Sequence, residues 1–250
     1  MRIIYRFLDF LGAIKPEKLF LSLALTCGAI SLILVPVFTV PDEGAHLWTS
    51  YSIFSETIPE DLAISPQEIL KKLNNKTYFE DIFLKKVDFK YDRLTVAPKT
   101  LITFKANEKD SKPVHVKGSP MDLAHIPQAI GLFIGRYVYG SVGSVMLLGR
   151  LINMAVFILI IYFVIKYTRK WKLAILCIAL FPMMIQQIAS LSYDVFNYAI
   201  IIAWVVLVLN IAYKYIKVTN KVLLISVVLS VLILLTKPIN FVLLLLLPII

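Results

Sequence analysis

Ser144–Ile165, SVMLLGRLINMAVFILIIYFVI, carries a single charged side chain, Arg150, in 22 residues. An apolar run of about 18 or more residues with almost no charge reads as a membrane-spanning helix. On either side lie further runs of the same kind: Leu19–Val40, Leu173–Ser190, Val195–Tyr213 and Val222–Thr236. A last run starts at Ile239 and is still apolar at Ile250. As helix it covers only about 18 Å of a hydrocarbon core roughly 30 Å thick, so the chain is expected to be part of a larger protein.

The composition agrees. Of 250 residues 59% are hydrophobic and 17% charged, with a mean hydropathy of +0.80. Soluble domains are about a quarter charged, so a soluble globular enzyme is excluded. Disorder, collagen and a disulfide scaffold are excluded as well. Cys27 and Cys177 both sit inside apolar runs and are expected to be small buried side chains, not a disulfide or metal ligands.

Charge is distributed unevenly. Thirteen of the 16 acidic residues fall between Asp42 and Asp122, with 12 basic residues beside them. The rest of the chain holds 14 basic residues against Asp9, Glu17 and Asp194. The surplus sits in short turns between runs, which is how membrane proteins set orientation; it is not a nucleic-acid footprint. Lys166, Arg169, Lys170 and Lys172 form one basic turn, and Lys214, Lys217 and Lys221 another. Both are expected on the cytoplasmic side, together with the N-terminus. Residues 1–18 read as an amphipathic helix on that leaflet, and residues 19–40 as an uncleaved signal anchor.

One outward span leaves residues 41–122 outside, as a small extracytoplasmic α+β loop subdomain. Ser65-Pro66-Gln67-Glu68 resembles a capping box with proline at the first helical position, predicting a helix to about Leu73 that stops at Asn74-Asn75. Alternation over Lys86–Lys90 and Leu94–Phe104 suggests short strands. Only one further span then reaches the basic turn at 166–172. Residues 123–143 should therefore lie in the outer interface, with an axis near the membrane plane, or re-enter without crossing. The competing topology makes 123–139 a true span and moves seven basic residues outside. Residues 144–250 supply spans two to six, the last incomplete.

The outer face then collects the residues that could carry chemistry. Asp42 and Glu43 open the loop, and His46 follows Asp42 by one helical turn. Asp194 is the sole acid after Asp122 and sits at the membrane edge, where an unpaired carboxylate is costly and suggests function. Helix capping is the competing account of each acid, and a hydrogen-bonded imidazole that of His46. Two carboxylate sites on one face can act as a general base, hold a divalent cation, or both. Arg150 and Lys237 belong near the same face. They could hold a phosphate, snorkel to lipid headgroups, or pair with Asp194.

Pro41-Asp42-Glu43-Gly44-Ala45-His46 after a first span resembles the first-loop signature of domain of unknown function 2142. That bacterial integral-membrane family is similar to GT-C glycosyltransferases. Ala179-Leu180-Phe181-Pro182-Met183, then Gln187, Ser190, Ser192, Tyr193 and Asp194, also fit it, as does Thr236-Lys237-Pro238. Gly135-Arg136 and Arg150-Leu151 are similar to the interfacial helix and second span of GT-C enzymes. One departure stands out: Ser119-Pro120-Met121-Asp122-Leu123-Ala124-His125 replaces a Pro-Pro-Leu-Tyr type start of the interfacial helix.

The resemblance implies an all-α integral membrane protein, a GT-C-like multi-span bundle in a bacterial cytoplasmic membrane. It implies transfer of a sugar from a polyprenyl-phosphate donor to a glycan or lipid acceptor of the cell envelope, at the outer face. Asp42, Glu43 and Asp194 would be catalytic, and His46, Arg150, Lys237 and Tyr193 substrate-binding. A divalent cation, Mg or Mn, would lie between Asp42 and Asp194. A non-catalytic transporter, or a scaffold whose outer loop binds a partner, is the alternative. A transporter would show broken helices and polar groups near the midplane, for which Gln186, Gln187, Asn197 and Asn210 are the candidates.

Overall fold

A computed structural model describes residues 14–55, 58–62, 66–74, 78–89 and 120–249. Most of the expected amphipathic N-terminus and all of Leu94–Phe104 fall outside these residues.

Helix α1, Pro16–Leu34, starts on a proline, which needs no N–H in a first turn. It stops because Val35 precedes Pro36, whose ring pushes Val35 into an extended conformation, ψ 106°. The following segment forms helix α2, Glu43–Tyr51, and helix α3, Pro66–Asn74, which ends where Asn74-Asn75 was expected to stop it. A π-helical turn spans Glu80–Leu84. The strand expected over Lys86–Lys90 reduces to one antiparallel bridge between Lys86 and Ser141, with the Val87 amide donating to the Gly140 carbonyl at 2.8 Å. The partner is a turn between two helices and offers too little extended backbone for a ladder. Among the described residues the fold is helical, with no β-strand.

A 3₁₀ turn, Pro120–His125, leads into helix α4, Ile126–Val138, and then helix α5, Val142–Tyr167. Gly140 makes the reversal between them at φ +74°, and Ser141 and Ser144 close a reciprocal capping box on α5. A Cβ on Gly131 would strike the backbone of Leu148 and Gly149, and one on Gly135 the backbone of Val145. Two glycines one turn apart thus meet α5 in reverse order, as in close helix pairs within membranes. Helix α4 is therefore an antiparallel neighbour of α5. Its 13 residues cover about 20 Å, short of a bilayer core.

Leu173–Ser190, expected as one span, is two short helices, α6 (Lys172–Ala179) and α7 (Pro182–Ile188). Pro182 cannot donate to the turn before it and holds Phe181 extended, at ψ 137°. Helix α8, Asp194–Ala212, helix α9, Asn220–Thr236, and 3₁₀ turns over Pro238–Ile249 complete the chain. Among the described residues three helices, α1, α5 and α8, are long and apolar enough to cross a membrane; α9, with 17 residues, is shorter.

Phe20, Ala24, Met154, Phe157, Ile161, Leu176 and Val195 pack α1, α5, α6 and α8 into one core. Where lipid replaces water, such contacts hold by close packing more than by the hydrophobic effect. A second core joins α2 and α3 to the start of α5 through Leu47, Tyr51, Ile69, Val145 and Leu191. Cys27 is half-buried and Cys177 exposed, contrary to expectation, because their helices turn those sides away from the bundle.

The helices share a common polarity of ends. Glu17 at the start of α1 lies 3.5 Å from Lys172 at the start of α6. The end of α1 meets Arg150, and the end of α9 meets Asp194. Hence Asp42 and Asp194 mark one end of the bundle, and the turns after α5 and α8 mark the other.

Candidate functional site

Four segments converge at the first end. The turn from α1 to α2 holds two non-glycine residues at positive φ, Phe38 at 64° and Asp42 at 59°. Such a backbone persists only where its surroundings over-determine it, and here Glu43 does so. Its Oε2 accepts from the Phe38 amide at 2.8 Å, while its Oε1 accepts from the Leu191 amide at 3.2 Å.

Arg150 completes the arrangement. Its Nε donates to Glu43 Oε1 at 2.7 Å and its Nη2 to Oε2 at 2.6 Å, a two-pronged pair with side chains 1% and 0% exposed. Nη1 and Nη2 also donate to the carbonyls of Val35 and Pro36, at 2.7 and 2.9 Å. The Val35 carbonyl loses its helical partner where Pro36 ends α1, so the guanidinium serves as its donor, while the Pro36 carbonyl also accepts from the Thr39 hydroxyl at 2.7 Å. Neither Asp194 nor lipid holds Arg150; the pair with Glu43 occupies both groups.

The turn Ser190–Ser192 is clamped from three sides. Gln128 on α4 donates to the carbonyls of Leu191 and Ser192, at 3.3 and 3.1 Å. Asn153 on α5 donates to those of Ser190 and Ser192, at 2.9 and 3.1 Å, and Glu43 holds the Leu191 amide. The clamp fixes where Tyr193 and Asp194 leave the turn.

Asp42 precedes α2 but makes no side-chain cap with it, so capping does not account for its carboxylate, which is exposed. Asp194 is the first residue of α8, whose N-cap, Tyr193, makes no side-chain cap. Asp194 Oδ1 accepts from Lys237 Nζ at 3.1 Å, and that ammonium lies 5.4 Å from the centre of the Tyr193 ring. Thr236 and Asn240 donate to Asn197 Oδ1 at 3.1 and 3.0 Å, which anchors the Lys237 segment to α8.

Between the two acids stand two imidazoles. His46 Nδ1 and His125 Nε2 are 3.2 Å apart, so one donates to the other. Both rings lie against Tyr193, at centroid distances of 5.4 and 5.1 Å. Burial pushes the His46 imidazole below its ordinary range, against the opposing pull of Asp194, Asp42 and Glu43. All three sequence-predicted acids therefore act on one imidazole.

Of the expected residues, Asp42, His46, Tyr193, Asp194 and Lys237 gather here, while Glu43 and Arg150 form the support beneath. Sequence reasoning gave no role to His125, Gln128 or Asn153. The available signal was a polar side chain inside an otherwise apolar stretch. Among the described residues no group of three or more His, Cys, Asp or Glu side chains is placed to hold a metal ion. An ion shared by Asp42 and Asp194 would have to share the Asp194 carboxylate with the Lys237 ammonium. A separate groove of about 90 Å³ opens beside Arg150, lined by Leu32, Ile33, Val37, Tyr78, Phe83 and Leu147.

Residues 25–250 match the family described as Predicted membrane protein (DUF2142), and the chain belongs to that family. No curated protein and no solved structure matches it.

Proposed function

We propose that this member of the DUF2142 family is a GT-C-like glycosyltransferase. It is set as a multi-pass protein in a bacterial cytoplasmic membrane, with the N-terminus inside and residues 41–122 outside. The supporting observation is the gathering of Asp42, His46, His125, Tyr193, Asp194 and Lys237 at one end of the bundle.

In this proposal the donor is a polyprenyl-phosphate sugar and the acceptor a hydroxyl of a cell-envelope glycan or lipid. The acceptor oxygen bonds to the anomeric carbon as the bond from that carbon to phosphate oxygen breaks. The acceptor proton passes to the Asp42 carboxylate, which no cap or ion pair among the described residues engages. The polyprenyl phosphate leaves beside Lys237, a point charge suited to a phosphate. Asp194 holds that lysine in place, Tyr193 offers a ring face to the sugar, and the neutral His46 donates or accepts a hydrogen bond. The groove beside Arg150 takes the prenyl chain. No step is assigned to Mg or Mn, and Glu43 and Arg150 act as positioning residues.

A transporter remains the second reading because of one observation, the break between α6 and α7 at Phe181-Pro182. Against it, Asn197 and Asn210 lie near opposite ends of α8. There they bond to Thr236 and Thr168, and neither is ionisable.

The test incubates membranes holding the full-length protein with a panel of radiolabelled polyprenyl-phosphate hexoses. Transfer to membrane material should be abolished in Asp42→Asn and retained, if reduced, in Tyr193→Phe. Parental transfer by Asp42→Asn would remove the assignment.

A further inference from the structure

At the end of the bundle opposite Asp42, two turns distant in sequence are fastened together. Asn210 Nδ2 donates to Thr168 Oγ1 at 3.0 Å, so the last turn of α8 is tied to the C-cap of α5. Trp171 then packs edge-on against Tyr213 and Tyr215, with ring centroids 5.2 and 5.6 Å away, and the two tyrosines stack on each other at 6.0 Å. Trp171 and Lys214 both hold positive φ, 60° and 55°, the geometry that turns each loop sharply back at this level.

The consequence is electrostatic. Arg169 and Lys170 come from one turn, Lys214 and Lys217 from the other, and all four are exposed. Among the described residues none of the four has a carboxylate partner. The acid at this end, Glu17, lies 3.5 Å from Lys172. Four unpaired cations around an exposed aromatic cluster, at the mouth of helices that face lipid, match one ligand chemistry well. Aromatic rings with a polar tip favour the headgroup level of a bilayer. Clustered Lys and Arg next to a span attract anionic lipid.

We infer that the turns 168–171 and 213–217 together form one binding site for an anionic phospholipid. Its phosphodiester sits between the cations of both turns, and its glycerol and upper acyl chain lie against Trp171 and Tyr213. The site rests on membrane insertion alone and is independent of the proposed transfer reaction.

Trp171 supplies the reporter. The full chain is reconstituted in phosphatidylcholine vesicles containing a few per cent of a brominated lipid, whose bromine quenches nearby indoles. A Trp171→Phe protein supplies the blank for Trp48 and Trp204. Brominated phosphatidylglycerol should quench Trp171 at a far lower mole fraction than brominated phosphatidylcholine does. Each cation near a headgroup is worth about fivefold in affinity, so two bearing on one phosphate should give a preference of about 25-fold.

Neutralising both turns, in Arg169→Gln/Lys170→Gln/Lys214→Gln/Lys217→Gln, should abolish the preference, and Lys170→Arg/Lys214→Arg should keep it. Should the fourfold variant not fold, Lys170→Gln and Lys214→Gln singly should each cut the preference about fivefold. Equal quenching by the two brominated lipids would overturn the inference. So would an undiminished preference in the neutralised or single variants. Reversal of the preference by millimolar inorganic phosphate would also overturn it, showing a free-anion site in place of a lipid site.

Discussion

Replacing Arg150 with methionine tests the framework on which the site rests. Methionine keeps much of the volume but strands the Glu43 carboxylate, whose side chain is 0% exposed, with only the Phe38 and Leu191 amides for company. Breaking a buried pair by removing one partner costs about 3–5 kcal/mol. The Val35 carbonyl also loses its donor, at about 1 kcal/mol, while the Pro36 carbonyl keeps the Thr39 hydroxyl. The loss, about 4–6 kcal/mol, corresponds to a melting temperature lowered by roughly 8–24 °C in a chain of this size. Thermal unfolding of purified protein in a neutral detergent reads it directly. The double variant Glu43→Gln/Arg150→Met removes the stranded charge and should melt above Arg150→Met alone. It should still fall below the parent, because the Val35 carbonyl loses its donor and one amide oxygen replaces the two carboxylate oxygens that served the Phe38 and Leu191 amides. Arg150→Met melting within about 2 °C of the parent would refute the buried pair. Single losses that simply add in the double variant would show that the two side chains do not interact.

Three further outcomes follow from particular contacts. Burial lowers the folded-state pKa of His46, so its contribution to stability is present above its unfolded value, about 6.5. That contribution is lost as pH falls through the lower folded value, and melting measured between pH 7.5 and pH 5 should show a shallower acid-side decline in His46→Gln. Gly135→Leu should separate α4 from α5 and lower stability by about 1–3 kcal/mol or more, whereas Gly44→Ala, where a Cβ meets nothing within 4 Å, should be nearly neutral. For topology, single cysteines at positions 75 and 169, in a protein with Cys27 and Cys177 replaced by serine, should differ. Only position 75 should react with an impermeant reagent in intact cells, and equal labelling of both would invert or abolish the proposed orientation.

Much of the fold was legible in the linear pattern because bilayer thickness sets a length and backbone satisfaction requires helix. Long apolar runs announced α5 and α8 within two residues of their ends and α1 with its end placed six residues too late, and Ser65-Pro66-Gln67-Glu68 with Asn74-Asn75 announced α3. The break at Phe181-Pro182 was missed because hydropathy averages over a window and is blind to one missing N–H. The short strand at Lys86–Lys90 was overcalled from alternation, which speaks of one exposed face and not of an available partner strand. Scarcity of charge singled out Asp42, Glu43, Arg150, Asp194 and Lys237, since an ionised group near lipid must be compensated. Which group compensates which was a matter of tertiary structure alone. Arg150 meets Glu43 across 107 residues and His46 meets His125 across 79, separations at which sequence carries no distance information. The same holds for the clamp of Gln128 and Asn153 on Ser190–Ser192, which decides where Asp194 stands. Local composition determined that these residues need partners; helix packing, through the close approach of α4 to α5, decided who the partners are.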